Sequence, residues 1–126
     1  MSADLERPND ADVADFDPAD LLSRLDDDVD TVVELIDLLR AEVPTHVAQI
    51  RHALESGDNR TLSFAAHSLK GALAALSAGN AARAALALEL ASREPLVGDG
   101  TALVAHLETA LMRAERAFTR FCASVA

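Results

Sequence analysis

The run His67, Ser68, Leu69, Lys70, Gly71 is where chemistry can first be read in this chain. A neutral imidazole offers a nitrogen lone pair near pH 7, and a lysine one helical turn later carries a mobile point charge that can follow a developing anion. A nucleophilic nitrogen beside a single cation suits a phosphoryl group. Lys70 is also the chain's one lysine, against ten arginines.

These residues need a helix to hold them. Gly57 and Asp58 give a stop and a new N-cap, after which Leu62, Ala65, Ala66, Leu69, Leu73 and Leu76 recur at helical spacing. On a wheel of roughly 100° per residue this stripe lies within about 60° of Leu69, whereas His67 falls about 160° away. His67 therefore faces solvent, grouped with Arg60, Phe64, Gly71 and Ala74, with Lys70 near one edge. An ordinary solvated face would carry Glu, Lys or Arg; this one is largely apolar or very small. A mid-helix glycine costs about 1 kcal/mol relative to alanine. Gly71 sits on the wrong face for core packing, so its use is to clear bulk one turn from His67 and let another protein reach the ring.

The remaining elements follow the same signals. Asp17, Pro18 and Asp20 open a short helix with Leu21, Leu22 and Leu25. Thr31 to Glu34 match a capping box, and the stripe Val29, Val32, Val33, Ile36, Leu39, Val43, Val47, Ile50, Leu54 describes one long helix, with a kink or a break expected at Pro44 and the kink favoured because the stripe stays in phase on both sides. Gly79 and Asn80 mark a turn, and a third helix runs from about Ala81 to Ser92 with Leu86 and Leu90 sharing a face with Ala82. Pro95, Gly98 and Gly100 make a loop before a last helix, capped by Thr101, with Leu103, Leu107, Ala110, Leu111, Ala114, Phe118 and Phe121 as its stripe. The expected fold is all-α: an antiparallel up-down-up-down four-helix bundle with a short additional N-terminal helix. Because Gly57 separates antiparallel helices, residues Pro44 to Ala48 are expected to lie level with His67 and border it.

Composition agrees and excludes several roles. At 126 residues the chain suits one domain, and half its residues are hydrophobic with only four aromatics, a helix-favouring balance. Residues 1–30 hold eleven acids and two arginines, net −9 of the total −10. Residues 1–15 are expected to form an acidic flexible tail, with 16–126 as the folded domain. An acidic chain without a basic stripe argues against nucleic acid and against anionic membranes. No apolar run approaches the ~18 residues of a membrane span, and the lone Cys122 excludes an internal disulfide, so a cytoplasmic location is expected. His46, His52 and His106 lack paired ligand spacing, and no metal site is expected in the chain.

The run HSLKG followed by ALAAL resembles the signature of the histidine phosphotransfer (HPt) domain of bacterial two-component phosphorelays. Upstream, the short helix, the long helix containing a proline, the Gly57–Asp58 turn and the Ala65–Ala66 pair are similar to that family. Downstream, Leu88 and Glu89 resemble its Leu-Glu pair. One position departs: the family's glycine ten residues after the histidine is Ser77 here.

The resemblance implies that His67 accepts a phosphoryl group from a receiver-domain aspartate and passes it to another receiver aspartate. Lys70 would stabilise the phosphoryl charge, and Arg60, Ser63, Phe64, Gly71 and Ala74 would form the docking surface. Mg²⁺ would be supplied by the receiver, and this chain would carry no cofactor and no kinase or phosphatase activity of its own. The implied partners are response-regulator receivers and a hybrid sensor histidine kinase, with the chain a monomer. Its initial Met1 fits a free-standing protein. A sensor-kinase phosphoacceptor domain fits less well, since that family has an acid after the histidine and a proline five residues on, where Ser68 and Ala72 stand. A catalytically silent helical adaptor for receivers is the alternative.

Overall fold

The computed structural model describes residues 10–93 and 95–126. The described chain is helical throughout its regular structure, with α1 (Asp10–Asp15), α2 (Pro18–Arg24), α3 (Val29–Arg40), α4 (Val43–Ser56), α5 (Asn59–Ala75), α6 (Gly79–Ala91) and α7 (Gly100–Ser124). Helix α5 lies against α4 on one side and α6 on the other, α6 packs on α7, and α7 returns to α3 and α4. Leu62, Leu69 and Leu73 of α5 are fully buried at the centre, together with Ile36, Ile50, Leu88 and Leu107.

Short acidic caps start most of these helices. Asp17, Asp28, Asp58 and Asp99 each accept a hydrogen bond from the backbone N–H three residues on, at 3.0–3.2 Å. Asp28 and Asp99 thus take the roles read for Thr31 and Thr101, because a carboxylate both accepts the orphan amide and complements the positive helix end. Two hydrogen bonds from Thr61 hold the Asp58 carboxyl below its usual range.

The long helix is interrupted rather than only kinked. Pro44 has no N–H to give the Arg40 carbonyl, and the ladder breaks at Ala41–Glu42, where the Glu42 amide bonds Leu39 instead at 3.0 Å. Ala41 and Glu42 keep right-handed helical angles, so the apolar phase runs on from α3 into α4.

At the far end of α5, Ser77 adopts φ +58°. The Ala78 amide reaches the Leu73 carbonyl at 3.0 Å and the Ser77 amide reaches Ala74 at 3.1 Å, a Schellman ending that glycine usually serves. The serine is held in that costly conformation from outside. Its hydroxyl donates to Asp20 Oδ2 at 2.7 Å and accepts from Arg24 at 2.5 Å.

Two expectations are corrected. Residues 10–15, assigned to a flexible tail, form α1, whose Asp15 is nearly buried and accepts from Asn80 Nδ2 at 2.8 Å, while residues 1–9 lie outside the described part. Beside it Phe16 meets Phe118 and Phe121 edge-on, with ring centres 5.0 and 5.7 Å apart. In α6 the face of Ala82, Leu86 and Leu90 is not the core face: Ala81, Ala84, Ala85 and Leu88 are buried, and Leu86 and Leu90 point outward. Three alanines let α6 sit close to its neighbours, which a leucine face would hold apart. Cys122 is partly buried on α7, and burial pushes its thiol up, as for a packing residue. Among the described residues no helix is long and apolar enough to cross a membrane.

Candidate functional site

His67 projects from the middle of α5 with 63% of its side chain exposed. Its Nδ1 lies 2.9 Å from Glu89 Oε2 on α6. The other carboxylate oxygen, Oε1, is 2.9 Å from Lys70 Nζ. That second contact is an ion pair off the hydrogen-bonding direction, since Oε1 is buried and has no aligned donor. Glu89 therefore ties together two residues that sit one turn apart on α5, and it reaches them from the neighbouring helix.

The Glu89 carboxyl is held below its ordinary value, first by Lys70 and then by His67, against the opposing effect of burial. An ionised carboxylate only accepts, so the proton of the neutral ring stands on Nδ1 and the lone pair on Nε2. Nε2 faces outward and is the ring's nucleophilic atom. Among the described residues no three His, Cys, Asp or Glu side chains converge as metal ligands.

A shallow depression around the ring is lined by Arg60, Ser63, Phe64, His67, Glu89 and Ser92. Phe64 is 73% exposed, an unusual position for an aromatic ring in water. Gly71 is exposed, and a Cβ built on it would meet nothing within 4 Å, so nothing inside the fold requires glycine there. Ala74 is exposed but lies one turn further along, beside Asp20 and Ser77 rather than in the depression.

Of the residues singled out by sequence, His67, Arg60, Ser63 and Phe64 come together directly, and Lys70 joins them through Glu89. Pro44, Val47 and Ala48 do not border the ring. They line a separate apolar groove with Leu111, Met112 and Phe118 of α7. Equal distance from the Gly57 turn sets the level of a residue but not the direction it faces, and these three face α7.

Glu89 was legible only as half of a Leu-Glu pair. Its role depends on α6 lying antiparallel to α5 with residue 89 level with residue 67, which spacing along one helix does not reveal.

Residues 34–117 match the Hpt domain family, a span running from α3 through α5 and α6 into α7. The match covers more than half of the chain, which belongs to this family. Its members are phosphocarriers in histidine phosphotransfer within two-component phosphorelays, not kinases or phosphatases. No curated relative and no solved structure matches the chain.

Proposed function

We propose that Nε2 of His67 takes a phosphoryl group from the phosphoaspartate of one receiver domain and delivers it to the aspartate of another. The observation that carries this reading is the Nδ1 contact with Glu89 at 2.9 Å, which leaves Nε2 free and outward. In the forward step the acyl phosphate P–O bond breaks, an N–P bond forms from the Nε2 lone pair, and the donor aspartate leaves as a carboxylate. The Nδ1 proton stays where it is. No general base is needed, and the positive charge that grows on the ring is offset by the Glu89 carboxylate beside it. The transition state is loose, with charge on the equatorial oxygens, so alignment and a nearby cation are the help required. Lys70 supplies that cation when it moves from Glu89 to the phosphoryl oxygens.

Mg²⁺ and the acidic pocket that holds it belong to the receiver in this reading. The domain runs from α1 to α7, with α3–α4, α5, α6 and α7 as an antiparallel up-down-up-down four-helix bundle. It works as a monomer in the cytoplasm between a hybrid sensor kinase and response regulators. Arg60, Ser63, Phe64, Gly71 and Ala74 contact the docked receiver.

The test mixes the protein with a phosphorylated receiver and follows label onto it. Acid-labile, base-stable label that is absent in His67→Gln is expected, and ATP alone should give none. Transfer from no cognate receiver would leave the silent adaptor.

A further inference from the structure

The outer face of α6 carries exposed leucines where a solvated helix is ordinarily polar. On a wheel centred on Leu88, the buried Ala81, Ala84 and Ala85 lie within about 60°, while Leu86 and Leu90 fall about 160° away. Leu90 is 57% exposed and Leu86 37%. Ala82 flanks them on one side and the exposed Arg83 lies about 20° from Leu90 on the other, so the outer face carries two leucines with a single charge at its edge.

The position of this face relative to His67 can be derived. The contact of residue 67 with residue 89 sets the register of the antiparallel pair, which places Leu86 level with Lys70 and Leu90 beside the level of His67. Nearer the Gly57 turn the two segments stay in contact, with Asn59 Nδ2 donating to the Arg93 carbonyl at 2.6 Å. Glu89 and Ser92 line the depression around the imidazole, and Leu86 follows about 60° further round α6 from Glu89. Arg93 and Arg60 are exposed at the same end.

We infer that the receiver docks astride α5 and α6, with Leu86 and Leu90 as apolar anchors beside Phe64, and with Arg93 and Arg60 facing the acidic rim of its metal pocket. The inference rests on the phosphotransfer reading and names the side of His67 that its partner covers. A receiver is the occupant that matches both features: its phosphorylated aspartate must reach Nε2, and its cation-binding carboxylates complement the arginines. A second copy of the chain matches less well. An antiparallel α6 pair centred between Leu86 and Leu90 would bring Arg83 of each chain opposite Arg93 of the other.

The experiment measures KM and kcat for transfer from a receiver, and separately the rate of labelling by phosphoramidate, a small donor that needs no docking face. The variants are Leu86→Asp/Leu90→Asp, Arg93→Glu, and Leu38→Asp as a control on α3, where Leu38 is 65% exposed. The double variant should raise KM about tenfold or more, as loss of apolar anchors does, and Arg93→Glu should raise it about threefold to tenfold. Phosphoramidate labelling, thermal melting and the Leu38→Asp values should stay at wild type. An unchanged KM in both α6 variants overturns the inference while leaving phosphotransfer intact. A dimer in the wild type that the double variant dissociates would assign the face to a second copy and also overturn it. If the wild type takes label from neither donor, the phosphotransfer reading falls and this inference with it.

Discussion

Glu89 turns two residues on one helix into a three-residue device spanning two. Its carboxylate holds the proton on Nδ1, so the ring presents Nε2, and it keeps Lys70 beside the ring. The two jobs separate by substitution. Glu89→Gln retains an acceptor for Nδ1–H but loses the charge, and Glu89→Ala loses both. Transfer should slow by about tenfold or more in the alanine variant and by less in the glutamine variant, as for residues that orient a reacting imidazole. At about pH 8.5, where imidazole is neutral, ¹⁵N shifts should report the Nδ1–H tautomer in the wild type and a mixture in Glu89→Ala. The lowered Glu89 value also makes a stability statement. A carboxyl depressed on folding contributes stability above its unfolded value, ordinarily 4.5, and loses it as pH falls through the lower folded value. The melting temperature of the wild type should therefore exceed that of Glu89→Gln by a small margin near neutrality, and the difference should shrink as pH falls below the ordinary carboxyl range.

At the scale of elements, the ends and interruptions of helices position the site. Pro44 divides what patterning reads as one helix, yet the helical angles of Ala41 and Glu42 keep both halves in phase, so the continuous stripe favoured a kink where the chain breaks the ladder. The end of α5 depends on Ser77 in the left-handed region, and on Asp20 and Arg24 reaching it from α2. Ser77→Ala keeps the backbone cost and loses both side-chain bonds. Ser77→Gly loses the bonds and relieves the cost. Chemical denaturation should therefore find Ser77→Ala less stable than Ser77→Gly by about 1 kcal/mol. If serine were a passive replacement for the family's glycine, the glycine variant would instead be the more stable of glycine and wild type. Helix α6 teaches the opposite lesson from α3–α4. Its leucines suggest a core face by size, but its alanines form it, because the close approach of α6 to α5 and α7 leaves room for methyl groups and one leucine.

At the scale of the whole molecule, one core supports an outward-facing reaction site. Leu69 lies directly beneath the His67 face and is fully buried, as are Leu62 and Leu73 on the same helix. Leu69→Ala should cost about 2–5 kcal/mol in denaturant unfolding. Its folded fraction should still accept label from a small donor, since the chemistry uses only exposed atoms. Loss of labelling in a folded Leu69→Ala would mean that core packing sets the ring's geometry more strictly than the Glu89 contact does. The charge of the chain is divided in the same spirit: −9 of its −10 lies in residues 1–30, while Arg60 lines the depression around His67 and Lys70 pairs with Glu89 beside it.

The sequence by itself determined the helical class, the core stripes of α5 and α7, the outward phase of His67 and the resemblance that the family match bears out. These depend on the period of one helix and on local residue chemistry, which neighbours do not alter. Only the tertiary structure decided that Glu89 completes the site, that Pro44 to Ala48 turn away from it, that residues 10–15 form a helix, and that α6 buries its alanines. Each of these depends on which elements are adjacent, at what register and how closely, quantities set by packing between helices rather than by the pattern along any one of them.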